Sequence, residues 1–137
     1  MESLIRDLVM NHFLVNNLFS DKQYGFIKGR STVTQLLKLM DDWTRSLDNN
    51  DQVDIVYTDF EKAFDKVPHR QLVDKIKAYG VCEPIVTWIT AFLTSRCQKV
   101  RINGVYSKQI KVLSGISQGS VLDPLLLVIY KRFTLNL

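Results

Sequence analysis

The feature that most constrains this chain is an apolar run that ends in an aspartate and passes at once into a short charged segment. Residues 53–60 alternate between two faces, with Val53, Ile55, Tyr57 and Asp59 sharing one of them. This alternation predicts a β-strand with the Asp59 carboxylate at its end. An aspartate in that position is either a metal ligand held rigidly by a sheet or a solvated residue that caps the next helix.

A second unusual string runs from Ser114 to Leu126. It places Gln118 and Gly119 ahead of Pro124, which suits the first turn of a helix. Glycine lets a backbone approach a ligand closely, and the glutamine amide offers both a donor and an acceptor. A carboxylate at a strand end and a glycine-hinged amide together suit the handling of a metal-bound triphosphate. The alternative is an ordinary helix start with a flexible lead-in and a Ser120 cap.

The rest of the chain mixes helical and strand periodicity. Predicted helices cover residues 2 to about 18, a segment from Ser31 or Thr32 to about residue 48, Pro68 to Gly80, and a segment from Pro84, while residues 98–112 form a predicted hairpin that turns at Asn103-Gly104. Residues 20–31 are predicted to be a loop or a short irregular hairpin. Helices and strands in mixed order indicate the α+β fold class.

Composition excludes several classes of protein. With 137 residues and 46% hydrophobic content, the chain is expected to form one domain with a core and not to be disordered. Two cysteines and two histidines lack the spacing of a zinc site. No signal peptide is visible, and the longest apolar run is too short for a bilayer, so we expect an intracellular protein of nucleus or cytoplasm, not secreted and without membrane contact. The formal charge of +4 is compatible with a polyanionic partner.

Together the two strings resemble motifs of the LINE-type reverse transcriptases, which belong to the non-LTR retrotransposons. The sequence Asp59-Phe-Glu-Lys-Ala-Phe-Asp65 is similar to the family's Asp-Phe-x-Lys-Ala-Phe-Asp. Residues 115–126 resemble the family's Gly-x-Pro-Gln-Gly-Ser-x-Leu-x-Pro-Leu-Leu, and the likeness runs from about residue 3 to Tyr130.

This resemblance implies an α+β partial right-hand polymerase, with fingers and an incomplete palm whose helices pack on a small antiparallel sheet. The chain would be a single incomplete reverse transcriptase domain. About residues 1–50 would be fingers-like helices and a loop, about residues 51–130 a partial palm, and residues 131–137 a divergent tail.

The resemblance also assigns roles within the aspartate string. Asp59 would be the catalytic metal ligand, and the backbone carbonyl of Phe60 a further ligand of Mg²⁺. Phe64 falls where the family has an aromatic steric gate against the ribose hydroxyl. Lys62 and Ala63 would lie in the turn that approaches the triphosphate.

In the family, the loop that corresponds to Gln118 and Gly119 touches the template and the incoming nucleotide. This chain departs from the pattern twice. Ser117 replaces the usual proline, and Asp123 replaces the usual glycine, adding bulk and negative charge near a polyanion site.

Residues 23–32 resemble the family's finger string Gln-x-Gly-Phe-Arg-x-Gly-Arg-Ser. Lys28 and Arg30 could reach phosphates, because Arg30 stands just ahead of a helix start. A basic surface loop is the alternative. Further basic residues lie on the predicted helix and hairpin: Lys75, Lys77, Arg96, Lys99, Arg101, Lys108 and Lys111. They form either a solvated face or a stripe that contacts the backbone of an RNA–DNA hybrid.

The family's next element, a hairpin bearing Tyr-Ala-Asp-Asp, does not follow Tyr130, and the thumb is missing too. One aspartate would then have to hold two dications. We therefore expect a truncated RNA-directed DNA polymerase domain of a retroelement, inactive as this chain alone. The intact family uses Mg²⁺, an RNA template, a DNA primer and deoxynucleoside triphosphates. The alternatives are a non-catalytic remnant that binds RNA or an RNA–DNA hybrid, and a protein-interaction module.

Overall fold

The computed structural model describes residues 1–131 and contains, in that range, five α-helices and four short β-strands. The helices are α1 (Glu2–Val15), α2 (Thr32–Asp48), α3 (His69–Ala78), α4 (Glu83–Thr94) and α5 (Asp123–Lys131), and the strands are β1 (Cys97–Gln98), β2 (Arg101–Ile102), β3 (Val105–Tyr106) and β4 (Ile110–Lys111). Residues 1–18 form one compact unit with the chain from residue 62 onward, and residues 19–61 form another. The mixture of helices and small antiparallel sheets confirms the α+β class. Of the predicted tail, residues 131–137, only Lys131 is described, and it is the last residue of α5.

Helices that bury their apolar faces against one another hold the larger unit together. α3 packs on α4 and on α5. Leu72 and Ile76 of α3 and Ile89 of α4 are fully buried, and α5 is buried on nearly all sides between Leu125 and Ile129. Each such side chain stabilises the fold by about 1.5–3 kcal/mol. Among residues 1–131, no helix combines the length and apolarity needed to cross a bilayer.

The first helix follows its predicted periodicity. Ile5, Val9 and Phe13 of α1 are buried, and the helix ends at Asn16 as the turn-forming residues there predict. The ring of Phe13 meets the ring of Tyr79 edge to face, with centroids 5.0 Å apart. This contact joins the amino-terminal helix to the end of α3.

The starts and ends of the next helices also agree with the sequence. Pro68 is the N-cap residue of α3, one position before its first turn, and Gly80 follows the helix with a φ of +75°. Pro84 lies in the first turn of α4. Trp88 stacks on Phe92 at a centroid distance of 5.3 Å and is half-buried.

The predicted hairpin is present, and its strands form two small antiparallel ladders. β1 pairs with β4 and β2 with β3, and the turn residues Asn103 and Gly104 have φ values of 49° and 83°, as a type I′ turn requires. All strand residues are exposed. Among residues 1–131, the extensive helix contacts are those of α3 with α4 and with α5, and packing of the helices on the sheet stays a prediction.

The unit formed by residues 19–61 contains α2. The hydroxyl of Ser31 accepts a hydrogen bond from the amide of Thr34 and caps this helix, whose first residue, Thr32, is one of the two predicted starts. No α2 residue is buried, and Trp43 is half-exposed. α2 is strongly amphipathic, but its apolar stripe is exposed. The residues of this stripe that are more than half accessible are Val33, Leu36, Leu37, Met40 and Leu47.

The predicted strand over residues 53–60 is not formed. A strand needs a neighbour that completes its backbone hydrogen bonds. The backbone groups of residues 52–59 make no hydrogen bond to other described backbone groups, and no strand within residues 1–131 pairs with them. Val56 and Tyr57 are 85% and 83% exposed, so this segment is an extended connection without sheet support.

Candidate functional site

The carboxyl half of the aspartate string and the glycine-glutamine string meet in the larger unit. The amide of Gly115 donates to the carbonyl of Val67 at 2.8 Å, and the amide of Ile116 donates to the carbonyl of Phe64 at 2.9 Å. The imidazole Nε2 of His69, a buried residue, donates to the carbonyl of Gly115 at 2.7 Å. Three hydrogen bonds therefore fix the two strings against each other.

Gly115 is the residue that permits this close approach. A Cβ atom at this position would lie 2.8 Å from the carbonyl oxygen of Asp65, and the φ of Gly115 is +89°. Only glycine accepts both the left-handed backbone and the contact with the neighbouring main chain. The sequence identified Gly115 as part of a motif but gave no indication of this contact with Asp65.

A cavity of about 690 Å³ lies beside this junction. Its polar lining comes from both strings and from the base of the hairpin, and includes Asp65, Arg96, Gln98, Lys111, Ser114 and Gln118. Gln118 is exposed, and Gly119 has a φ of +98° with open space where a Cβ would be. The amide of Gln118 and the backbone of Gly119 are therefore accessible to a ligand.

The turn between Asp59 and α3 carries the predicted triphosphate and gate residues. Lys62 is exposed and adopts a positive φ of 52°, and its carbonyl accepts the amide of Lys66 at 3.1 Å. Ala63 and Phe64 are half-buried. The backbone of Phe64 is fixed by its bond to Ile116, which leaves its ring at the edge of the core.

Asp59 and Phe60 belong to the unit of residues 19–61, at the end of the unsupported segment. Asp59 is exposed, and Phe60 is 42% exposed. Within residues 1–131, no three His, Cys, Asp or Glu side chains converge as metal ligands would. One carboxylate and one carbonyl fall short of the oxygen ligands that a pair of Mg²⁺ ions needs. The donor set of this chain alone does not fit a two-metal site.

The finger string uses its arginine to hold its own loop. The Arg30 guanidinium donates to the carbonyls of Ser20 and Gln23, the latter at 2.7 Å, and lies 3.8 Å from the Asp21 carboxylate. Lys28 is exposed. Of the two predicted phosphate contacts, Lys28 has the accessible charge, whereas Arg30 is engaged in loop structure.

The sequence as a whole matches a known family. The profile described as "Reverse transcriptase (RNA-dependent DNA polymerase)" covers residues 1–136. The chain belongs to the reverse transcriptase family. No solved structure gives a significant match.

Similar reverse transcriptases come from Drosophila melanogaster. The chain is 32% identical over 99% of its length to "Probable RNA-directed DNA polymerase from transposon BS", and covers 15% of that protein. It is 30% identical over 96% of its length to the corresponding protein from transposon X-element, covering 14% of it. The protein from mobile element jockey is 27% identical over 95% of the chain. This reverse transcriptase chain thus spans about one-seventh of the length of these relatives.

One departure from the family pattern places a carboxylate in the interior of the fold. Asp123, which stands where the resemblance expects glycine, has no exposed surface, and neither of its carboxylate oxygens has a hydrogen-bond partner among the described residues. Burial raises the pKa of the Asp123 carboxyl above its usual range, with Ser120, Arg96 and Ser117 partly opposing the shift and Glu2 adding to it. A small uncharged residue would fit this place at lower cost.

We expect the change Asp123→Asn to stabilise the chain at neutral pH. Because the carboxyl pKa is higher in the folded chain than in the unfolded one, the folded chain binds more protons between the two values. The free energy of unfolding of the wild type therefore falls as pH rises through that interval, which starts near the ordinary value of 3.8. The stabilisation should be about 1–2 kcal/mol at pH 7 and should shrink toward pH 4.

Urea unfolding at a series of pH values measures this difference. The matched control is Asp74→Asn, at an exposed position on α3, which should change the free energy of unfolding by less than about 0.5 kcal/mol. A stabilisation by Asp123→Asn that stays constant from pH 4 to 7 would contradict the explanation by charge burial.

Proposed function

We propose that this chain is the fingers and partial palm of an RNA-directed DNA polymerase of a non-LTR retroelement. Its family membership supports the reaction class, template-directed nucleotidyl transfer. The observation that carries the proposal is the junction of the two motif strings, in which backbone hydrogen bonds join Phe64 and Val67 to Ile116 and Gly115. These strings are the ones that the resemblance assigns to the nucleotide site.

The individual roles follow the resemblance. Asp59 and the carbonyl of Phe60 would hold part of a divalent metal site, and the metal, when bound, would stabilise charge on the reacting phosphate. Phe64 would exclude ribonucleotides, beside the turn formed by Lys62 and Ala63.

Nucleic-acid and nucleotide contacts would come from two loops. Gln118 and Gly119 are accessible to the template and the incoming nucleotide, and the exposed Lys28 could reach a phosphate. Arg30 would contribute indirectly, by holding the conformation of the loop that contains Lys28. About residues 1–50 would serve as fingers, and about 51–130 as palm.

The chain alone should have no useful polymerase activity, for two physical reasons. The first is its single candidate carboxylate, which cannot neutralise two dications. The second is the missing strand around Asp59, because a catalytic ligand must be held within about 0.5 Å by a rigid element. Residues 52–59 lack the backbone hydrogen bonds that would provide this rigidity.

A second candidate function is binding of RNA or an RNA–DNA hybrid without chemistry. It is favoured by the hairpin of β1 to β4, which with the residues between these strands contains Lys99, Arg101, Lys108 and Lys111. Binding through these cations would not require Asp59.

The test is a hybrid polymerase. Residues 1–130 of this chain would replace the matching segment of the transposon BS protein, and primer extension on an RNA template with Mg²⁺ would be measured. We expect extension by the hybrid and none by the 137-residue chain. Extension by the isolated chain would contradict the incomplete metal site, and a folded hybrid that binds RNA but does not extend a primer would contradict the proposed function.

A further inference from the structure

The positive charge of the chain is concentrated in one stretch. Between Glu83 and Asp123 there is no acidic residue, and that stretch contains Arg96, Lys99, Arg101, Lys108 and Lys111. The other thirteen basic residues are balanced by fourteen acidic ones. The net charge of +4 therefore comes entirely from the four cations of the hairpin and from Arg96, which directly precedes β1.

Cations occupy one face of this hairpin. The Nζ atom of Lys99 lies 4.3 Å from the centroid of the Tyr106 ring, and the Arg101 guanidinium lies 5.3 Å from it. Arg101 is the cross-strand partner of Tyr106, and Lys99 precedes Arg101 by two positions. Lys108 stands two positions after Tyr106, and Lys111 pairs with Cys97, two positions before Lys99, so alternation along the two arms places both on this face.

The opposite face is apolar and also exposed. Val100, Ile102 and Val105 alternate with the cations and are 61%, 67% and 73% exposed. The hairpin is thus a two-sided ribbon with cations on one side and aliphatic groups on the other.

Grouping the cations on one face costs free energy. Like charges grouped on one face of a strand pair repel one another and are destabilising. No acidic residue lies between β1 and β4 to offset this repulsion. An external anion with several charges would relieve it.

The spacing of the cations suits a nucleic-acid strand. Same-face residues along a strand lie about 6.6 Å apart, which is two residue rises. Each nucleotide adds one phosphate charge, so a nucleic-acid strand presents a regular row of anions. Successive cations can therefore contact several phosphates of one strand.

We propose that the cationic face of the hairpin, formed by Lys99, Arg101, Lys108 and Lys111, binds the phosphate backbone of single-stranded RNA without sequence preference. Tyr106 positions the first two cations through its ring. The proposal deepens the proposed function and rests on it for the identity of the polyanion. It does not involve Asp59, and of its four cations only Lys111 also lines the cavity beside Gln118.

The salt dependence of binding tests the proposal. A variant of the full chain with Lys99→Gln, Arg101→Gln, Lys108→Gln and Lys111→Gln would be compared with the wild type for binding of a 20-nucleotide RNA. Each lost phosphate contact should reduce the slope of log K against log salt by about 0.7, so the variant should lose about 2.8. A variant with arginine in place of Lys99, Lys108 and Lys111 should retain the slope.

The matched control removes the same charge elsewhere in the larger unit, through Arg6→Gln, Lys66→Gln, Arg70→Gln and Lys77→Gln. We expect the control to keep most of the wild-type slope. Equal losses in both variants, or no loss in the hairpin variant, would overturn the proposal, as would competition by polyglutamate of equal charge as strong as that by RNA. A wild type that binds no RNA would also overturn it, while the hybrid extension assay would still decide the proposed function.

Discussion

Replacing Asp59 by alanine in the hybrid polymerase is expected to lower the rate of primer extension by about a thousandfold or more. A metal ligand at the reacting phosphate contributes several kcal/mol of transition-state stabilisation, and about 4 kcal/mol corresponds to a factor of about 10³. The change should leave RNA binding nearly unaltered, because Asp59 is exposed and lies outside the cationic hairpin. Single-turnover extension and RNA binding, measured on the same preparation, separate the two effects.

Asp54 provides the control for this experiment. It is an exposed aspartate five positions earlier on the same segment, where its side chain receives a hydrogen bond from the Gln52 amide at 3.1 Å. Asp54→Ala removes the same charge from the same extended stretch and should change the extension rate by less than about threefold, as is usual for surface substitutions of about 0.5 kcal/mol. Equal losses in the two variants would mean that the segment needs acidity in general, and would remove the metal-ligand role from Asp59.

Gly115→Ala is expected to destabilise the larger unit by about 3 kcal/mol or more. A left-handed backbone costs a residue with a Cβ about 1–2 kcal/mol. The new Cβ would also lie 2.8 Å from the Asp65 carbonyl oxygen, and that oxygen belongs to backbone that cannot rotate away. Moving the chain to relieve the contact would weaken the hydrogen bonds to Val67 and Phe64, at about 1 kcal/mol each. The free energy of unfolding in urea measures the loss.

Gly119→Ala is the control that separates the two costs of Gly115→Ala, the contact with Asp65 and the left-handed backbone. Gly119 lies in the same loop with a similar φ of +98°, but a Cβ there would meet no heavy atom within 4 Å. This variant should lose only the conformational cost, about 1–2 kcal/mol. If both variants lose the same stability, the contact between Gly115 and Asp65 contributes nothing and the packing at the junction is looser than described.

The elements that the sequence predicted well are those whose signals are local. Asn103-Gly104 specifies its turn because both residues accept positive φ, and Gly80 ends α3 for the same reason. α1 was predicted from the spacing of Ile5, Leu8, Val9, His12 and Phe13, and the first, third and fifth of these are buried. In each case a short stretch of chain contains the whole physical reason for its conformation.

The predictions that failed depend on partners distant in sequence. Residues 53–60 have the alternation of a strand, but alternation does not supply the neighbouring strand whose backbone must bond to it. α2 has an amphipathic pattern, yet a pattern cannot provide the surface that would cover Leu36 and Met40.

The features of the candidate site also fall into those that local motifs indicated and those that depend on distant contacts. The motif strings identified Phe64 and Gln118, but the burial of Asp123 and the contact between Gly115 and Asp65 arise only when distant segments meet. The concentration of charge in the hairpin was visible in the sequence, but the ring contacts that group Lys99 with Arg101 were not.

The bonds between the two motif strings have an evolutionary consequence. Two of them join main-chain amides to main-chain carbonyls, at Gly115 with Val67 and at Ile116 with Phe64. Main-chain groups are the same in every residue but proline, so mutation can alter the side chains of Phe64 and Ile116 without removing a donor or an acceptor. The side chains at positions 64 and 116 could therefore diverge between related sequences while the junction itself is inherited unchanged, provided that glycine persists at position 115.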